Sequence, residues 1–111
     1  MKRGDRERLD DIAEAITTIQ AHAADRRSTE HIRRDALLYN LLILGEAVKA
    51  LGDETKARRP EVPWRQIGGL RDVLAHDYYR IDLMEIDGII KRDLPALETA
   101  ITTLRRGSRG R

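Results

Sequence analysis

The sequence predicts an all-α fold, a single small bundle of up-and-down helices. Three observations support this: apolar residues recur at helical spacing in three long segments, no segment alternates like a strand, and no internal repeat is present. The chain has 111 residues and no cysteine, so we expect one core without disulfides.

The first helix is predicted over residues 5–24, because its apolar residues share one face with polar residues between them. That face consists of Leu9, Ile12, Ala13, Ile16, Ile19 and Ala23. A polar break follows, in which Ser28 or Thr29 can cap the next helix.

The second helix is predicted over residues 29–51 and is apolar on every side between Leu37 and Leu44. Such a helix must be covered on every side, which favours a central helix or one also buried in a dimer. Gly45 in its interior costs about 1 kcal/mol relative to alanine, and close approach of another helix is the expected compensation. Glu46 is expected to pair with Arg71 or another cation, with exposure to water as the alternative.

A short helix over residues 53–59 and a rigid connector over residues 60–64 are predicted next. Trp64 is expected to anchor that connector on the bundle rather than to stack on a base. Gly68 and Gly69 are expected to break the chain, and a third main helix runs from Leu70 to about Tyr79.

The last helix is predicted to begin after a capping Asp82. Its apolar stripe consists of Leu83, Ile86, Ile89, Ile90, Leu94, Leu97, Ile101 and Leu104. Pro95 should kink or restart this helix, with Asp93 as a second cap. We expect one helical domain over residues 1–104 and a flexible basic tail over residues 105–111.

The composition restricts the function classes. A net charge of +2 with 36% charged residues suits a helical surface of mixed ion pairs better than a protein that coats DNA. No stretch approaches the roughly 20 apolar residues of a membrane span, and the N-terminus does not resemble a signal peptide, so a cytoplasmic protein is expected. Neither a metal site nor a cofactor is predicted from three scattered histidines and no cysteine. With one Trp, three Tyr and no Phe, we expect no aromatic stacking platform for nucleic acid.

The third main helix carries the candidate site residues Arg71, Asp72, His76 and Tyr78. Asp72 and His76 are four residues apart and should face each other, so Asp72 is expected to hydrogen-bond the imidazole. Arg71 and His76 lie about 140° apart around a helix, which favours a composite site across the two-fold axis of a dimer. Arg71 and Tyr78 should be nearly aligned, two turns apart.

Arginine and histidine together suit the cleavage of RNA without a metal. Histidine gives or takes a proton near neutral pH, and the guanidinium of arginine grips phosphate. The ribose 2′-hydroxyl supplies the nucleophile, so the same residues would be inert on DNA. The alternative is structural, with Arg71 in a surface ion pair and His76 placed against the helix dipole.

Residues 63–78, PWRQIGGLRDVLAHDY, resemble the HepT-like branch of the HEPN families. Residues 81–83, residues 40–47 and the Asp93-Leu94-Pro95 segment are similar to it as well. The resemblance covers about residues 5–104. It implies a HEPN bundle of four to five helices with a kinked C-terminal helix, assembled as a homodimer.

The same resemblance implies a metal-independent endoribonuclease acting as the toxin of a type II/VII-like toxin–antitoxin pair. Arg71 and His76 match its catalytic residues, and Asp72 matches the polar residue after the arginine. Glu46 is a supporting candidate on its position in the second helix alone and not on the resemblance. The implied partner is a minimal nucleotidyltransferase antitoxin, which would transfer AMP to Tyr78. Tyr79, the next residue, is the alternative acceptor.

Two other function classes remain open on the sequence. The chain could be a non-catalytic, dimeric helical module that sequesters a nucleotidyltransferase or a nucleotide. It could also be a plain helical oligomerisation domain. A tight complex without RNA cleavage would distinguish the first of these from the ribonuclease.

Overall fold

The computed structural model describes residues 4–109, and their regular structure is entirely helical. The helices of this part are α1 (Asp5–Ala24), α2 (Glu30–Ala50), α3 (Asp53–Ala57), α4 (Trp64–Gly68), α5 (Leu70–His76) and α6 (Leu83–Arg109). The predicted all-α bundle is therefore confirmed. None of these helices combines the length and the apolar content that a membrane span requires.

The core lies between α1, α2 and α6, which pack against one another. The predicted face of α1 supplies Leu9, Ile12, Ile16 and Ile19, all buried. The 27 residues of α6 would span about 40 Å at 1.5 Å per residue, so this helix accounts for most of the 44 Å length of the molecule.

The second helix is central, as predicted from its apolar residues on every side. The single chain nevertheless does not cover the helix on all sides. Thr29 caps it, since the Thr29 side chain accepts a hydrogen bond from Ile32 N at 3.2 Å. Four leucines of α2 are fully buried: Leu37, Leu38, Leu41 and Leu44. Tyr39 is 62% exposed and Ile43 is 36% exposed, so one side of α2 remains open to solvent.

A buried carboxylate fastens the start of α1 to the corner between α2 and α3. Asp5 Oδ1 accepts from Gly52 N at 3.0 Å, and Asp5 Oδ2 accepts from Thr55 Oγ1 at 2.5 Å. Asp5 and Thr55 are both buried, so these bonds satisfy polar groups that would otherwise be costly to bury. The corner next to the candidate site is thereby held in place.

The chain between α3 and α6 departs from the sequence prediction in two places. Residues 64–68 form the short helix α4, which the sequence did not predict, and only Gly69 separates α4 from α5. The prediction that α5 reaches Tyr79 is wrong, because the helix ends at His76 and a turn follows. Asp77 O accepts from Arg80 N at 2.8 Å and from Ile81 N at 3.1 Å, which closes that turn.

The start of α6 agrees with the sequence prediction, whereas the predicted second cap does not. Asp82 Oδ1 accepts from Glu85 N at 2.8 Å, as a capping residue should. The helix is continuous and bent, with Pro95 inside it, so it does not restart. Asp93 is not a cap but a buried carboxylate that accepts from Gln66 Nε2 at 3.3 Å and from Arg92 Nε at 3.0 Å. Its hydrogen bond to Arg92 raises the pKa of that guanidinium above the ordinary value.

The C-terminal helix also continues past residue 104, at which the sequence analysis placed the end of the domain. It runs through Arg109, and Arg105 Nε donates to Asp10 Oδ1 at 3.0 Å. Residues 1–3 of the predicted domain and residues 110–111 of the predicted tail lie outside the described residues. The division of the chain at residue 104 stays a prediction.

Candidate active site on the second and fifth helices

The glycine in the middle of α2 allows α4 and α5 to pack unusually close to it. A Cβ atom at Gly45 would lie 3.0 Å from Arg71 N and 3.2 Å from Ile67 O. The close approach that the sequence predicted at this glycine is therefore present, and its partner is the start of α5. The contact places the backbone of Arg71 beside the residue that follows Gly45.

That residue is Glu46, and its carboxylate binds Arg71. Arg71 Nε lies 3.0 Å from Glu46 Oε1, which confirms the pairing that the sequence favoured. Arg71 Nη1 also lies 3.5 Å from Asp72 Oδ1, and Asp72 Oδ2 lies 3.9 Å from Lys49 Nζ. We call Glu46, Arg71, Asp72 and Lys49 the charged network. All four side chains are at least half exposed, so each pair contributes only about 0–1 kcal/mol to stability. The contacts orient the guanidinium rather than hold the fold together.

The expected hydrogen bond between Asp72 and His76 is absent from the single chain. Asp72 turns to Lys49 and Arg71 instead, where its charge is paired on both sides. His76 is the last residue of α5 and is exposed. Within residues 4–109, no hydrogen bond or ion pair engages its imidazole.

Arg71 and His76 therefore share one short, solvent-exposed helix, but the structure joins neither side chain to the other. The guanidinium is directed to α2 by Glu46, whereas the imidazole stands at the opposite end of α5. Arg71 offers a permanent positive charge with paired donors, and His76 offers two ring nitrogens that can hydrogen-bond a substrate. These two groups are the ones that phosphodiester cleavage by acid–base catalysis requires.

Tyr78 and Tyr79 lie in the turn after α5 and not on the helix. The predicted alignment of Arg71 with Tyr78 along one helix face therefore does not occur. Tyr78 is half-buried against the core, whereas Tyr79 is 95% exposed. The two rings meet edge to face, with their centroids 5.4 Å apart. Tyr79 is therefore the more accessible hydroxyl-bearing side chain of the pair.

An arginine of α2 that the sequence analysis did not single out holds this turn. Arg34 Nε donates to Ile81 O at 2.6 Å, and Arg34 Nη2 donates to Tyr78 O. Its guanidinium carbon also lies 5.6 Å from the centroid of the Tyr78 ring, which is cation–π geometry. The only sequence signal was a charged pair, Arg33-Arg34, just before the apolar stretch of α2.

Two exposed apolar side chains, Tyr39 and Ile43, lie on the face of α2 that carries Glu46. Tyr39 and Ile43 precede Glu46 on α2, and Val73 of α5 is 60% exposed. We call Tyr39 and Ile43 the apolar face. An exposed tyrosine and isoleucine one turn apart on the same helix form the kind of surface that associates with another protein.

A groove that Ile43 and Glu46 both line is acidic. It lies between α1 and α2, has a volume of about 500 Å³, and includes Asp11, Glu14 and Glu46 in its wall. Arg8 is the cation in that wall, and it pairs with Asp11 at 3.4 Å. The groove therefore disfavours an anion. Within the part of the chain that the structure describes, no group of three or more histidine or acidic side chains is placed to hold a metal ion.

Comparison with known proteins identifies the family of this chain. The family described as Ribonuclease HepT-like matches residues 7–104. The chain is 33% identical over 110 residues to "Probable ribonuclease HepT" of Thermococcus cleftensis, a match that covers 96% of this chain and 100% of that protein.

Two further relatives carry ribonuclease names. "Putative RNase MJ1380" of Methanocaldococcus jannaschii is 29% identical over 97 residues, which is 84% of this chain and 89% of that protein. "Putative RNase TTE0752" of Caldanaerobacter subterraneus is 38% identical over 66 residues, which is 60% of this chain and 59% of that protein. No solved structure gives a significant match. The family match spans α1 through most of α6 and includes the whole charged network, and the chain therefore belongs to the HepT-like ribonuclease family.

Proposed function

We propose that this protein is a metal-independent endoribonuclease and the toxin of a toxin–antitoxin pair, with Arg71 and His76 as its catalytic pair. Family membership and the ribonuclease names of its relatives support the ribonuclease class. The single structural observation that carries the residue assignment is the presence of an oriented guanidinium and an unpaired imidazole on one exposed helix.

The proposed reaction uses the substrate's own 2′-hydroxyl. The neutral imidazole of His76 removes the proton of that hydroxyl, and the oxygen attacks the neighbouring phosphorus. Arg71 stabilises the negative charge that builds up on the phosphate oxygens. The bond from phosphorus to the 5′ oxygen breaks, the leaving oxygen takes a proton from an imidazolium, and a 2′,3′-cyclic phosphate remains. The phosphate would have to displace Glu46 from part of the guanidinium. Asp72 supports Arg71 in this scheme.

We place the working site at the interface of a homodimer. Two copies of His76 would then supply one base and one acid, which a single imidazole cannot do at the same moment. The apolar face beside Glu46 supports this arrangement, because Tyr39 is 62% exposed and Ile43 is 36% exposed in the single chain. Association across that face would also cover the open side of α2.

We propose that a minimal nucleotidyltransferase antitoxin silences the enzyme by adding AMP to the tyrosine turn. The tyrosine oxygen would attack the α-phosphorus of ATP, and pyrophosphate would leave. Tyr78 is the proposed acceptor and Tyr79 the alternative. Both follow His76 by two or three residues, so an added AMP would bring a bulky negative charge close to the catalytic pair.

The test of the proposed activity is RNA cleavage by the purified protein in the presence of a metal chelator. We expect cleavage of single-stranded RNA with a cyclic phosphate at the new 3′ end, and no cleavage of the same sequence made with 2′-deoxyribose. His76→Ala and Arg71→Ala should each reduce the rate by at least about 100-fold. His22→Ala, which removes a histidine of α1, should leave the rate unchanged. Full activity in His76→Ala would overturn the assignment.

A second function, a binding module without catalysis, has one observation in its favour. The guanidinium of Arg71 is already paired with Glu46 and Asp72, as it would be in a purely structural role. A tight complex with a nucleotidyltransferase, together with no RNA cleavage by the free protein, would support this function instead.

A further inference from the structure

A cavity of about 440 Å³ lies where the end of α2 meets α3 and α4. Its volume is within the range of about 300–1,000 Å³ that is typical of small-ligand sites. It adjoins the charged network through one residue, because Lys49 lines the cavity and its Nζ lies 3.9 Å from Asp72 Oδ2. The cavity is next to the candidate active site but includes neither Arg71 nor His76 in its wall.

The wall of this cavity is positively charged. Lys49, Lys56 and Arg65 line it, and Asp53 is the carboxylate opposing them. Within the described residues, no hydrogen bond or ion pair engages the side chain of Lys56 or Arg65, so both cations are available to a ligand. The acidic groove lies on the α1 side of α2, whereas this basic cavity adjoins α3 and α4. An anionic ligand is therefore favoured here.

The same wall contains a fixed aromatic ring. Trp64 Nε1 donates to Lys56 O at 3.0 Å and to Arg59 O at 2.8 Å, which confirms that this residue anchors the connector. Trp64 is nevertheless only half-buried and lines the cavity. A ring that is already immobilised loses little entropy when a base stacks on it, and base–aromatic stacking contributes about 1–3 kcal/mol. Gly68 and Gly69 complete the wall without side chains that would fill the space.

We propose that this cavity binds one nucleotide of the RNA substrate, next to the cleaved phosphate. The base would lie against Trp64, and the phosphate would lie among Lys49, Lys56 and Arg65. This inference rests on the proposed ribonuclease function and adds a substrate subsite to it. It also revises the sequence-based expectation that no aromatic platform exists, because one nucleotide needs only one ring. A free nucleotide carries the same base and phosphate, so the experiment compares an RNA strand with free AMP as the ligand.

The chain contains a single tryptophan, so its intrinsic fluorescence reports on this cavity. The experiment titrates the full chain with a single-stranded 2′-O-methyl RNA, which binds as RNA does but lacks the nucleophilic hydroxyl. We expect saturable quenching of Trp64 and a dissociation constant that rises with salt, as binding through phosphate requires. Strand binding without any change in Trp64 fluorescence would overturn the subsite.

Two matched variants distinguish RNA binding in the cavity from a general effect of positive charge on RNA binding. The double variant K56Q/R65Q should weaken strand binding by about tenfold or more, because two phosphate-binding cations are lost. The control R26Q/R27Q removes the same charge from the exposed connection between α1 and α2 and should change the dissociation constant by less than about twofold. Equal weakening in both variants, or none in K56Q/R65Q, would overturn the proposal. Quenching by AMP alone at the concentrations at which the strand acts would likewise overturn it, in favour of a free-nucleotide site.

RNA cleavage measured on the same samples tests the proposed ribonuclease function separately from the nucleotide subsite, which rests on it. Cleavage that depends on His76 without a response of Trp64 overturns the subsite alone. A Trp64 response that depends on Lys56 and Arg65, in a protein that cleaves no RNA, supports the subsite and overturns the proposed enzymatic function.

Discussion

Glu46 and Arg71 face each other across the contact between α2 and α5, with Oε1 and Nε 3.0 Å apart. The pair exists because Gly45, the residue before Glu46, lets the backbone of Arg71 approach α2 to a distance that a Cβ atom would obstruct. The guanidinium is thus directed by a neighbouring carboxylate before any phosphate arrives.

Replacing Glu46 with glutamine should make the enzyme bind RNA more tightly. The phosphate would no longer compete with a charged partner for Arg71, and an exposed pair of this kind is worth about 0–1 kcal/mol, so KM should fall by up to about fivefold. Steady-state cleavage measures the effect, with Glu7→Gln of the first turn of α1 as the control for the change in charge. A rate that falls with unchanged KM would instead show that Glu46 is needed to position Arg71.

Adding a methyl group at Gly45 should destabilise the protein and disturb the site. A Cβ atom there would lie 3.0 Å from Arg71 N, and backbone cannot move aside as cheaply as a side chain can. We expect Gly45→Ala to lower the free energy of unfolding by about 1–3 kcal/mol in urea titrations. Gly88→Ala in α6 is the control, since a Cβ atom there meets nothing within 4 Å and should stabilise the helix by about 0.5–1 kcal/mol. Equal effects of the two substitutions would contradict the close packing.

Tyr78→Phe should prevent neutralisation by the proposed nucleotidyltransferase antitoxin, because it removes the proposed acceptor oxygen. Peptide mass spectrometry after incubation with ATP and the nucleotidyltransferase would locate the added AMP. Tyr79→Phe is the matched control in the same turn, and we expect it to remain modifiable at Tyr78. Tyr79 is the more exposed of the two side chains and is therefore the alternative acceptor. AMP found on Tyr79, with modification lost only in Tyr79→Phe, would contradict the assignment to Tyr78.

Charge on the apolar face should dissociate the proposed dimer. Tyr39→Glu or Ile43→Glu would bury a carboxylate in the interface, which costs several kcal/mol without a partner. Sedimentation at micromolar concentration should therefore show a monomer, and RNA cleavage should be lost along with the second histidine. Met84→Glu, at an exposed methionine of α6 outside the apolar face, should leave the mass in solution unchanged. A monomeric wild-type protein that cleaves RNA would exclude the composite site.

The long helices could be predicted from the sequence because each carries an apolar stripe that extends for several turns. The bounds of α1, the Thr29 and Asp82 caps, the close approach at Gly45 and the pairing of Glu46 all follow from local pattern and helical spacing. In each case the physical cause lies within a few residues along the chain or on one helix face.

The short helices could not be predicted in the same way, because tertiary contacts decide them. Five residues between Pro63 and Gly69 are too few to form a helix alone, and α4 is stabilised by burying Ile67 and Gly68 against α2. The end of α5 is set by the turn that Arg34 holds from a distant part of the chain. Asp93 looked like a cap because of the proline two residues later, but its real partners are Gln66 and Arg92. The geometry within the candidate site differs from expectation for the same reason, since Asp72 turns to Lys49 on another helix rather than to His76 on its own.

The hydrogen bonds from Trp64 to the carbonyls of Lys56 and Arg59 also bear on how the protein unfolds. Tryptophan emission follows the connector between α3 and α4, whereas circular dichroism at 222 nm follows the long helices. If the connector melted before the bundle, the two transitions would separate along the temperature axis. Coincident transitions would show that the short helices and the core form one cooperative unit.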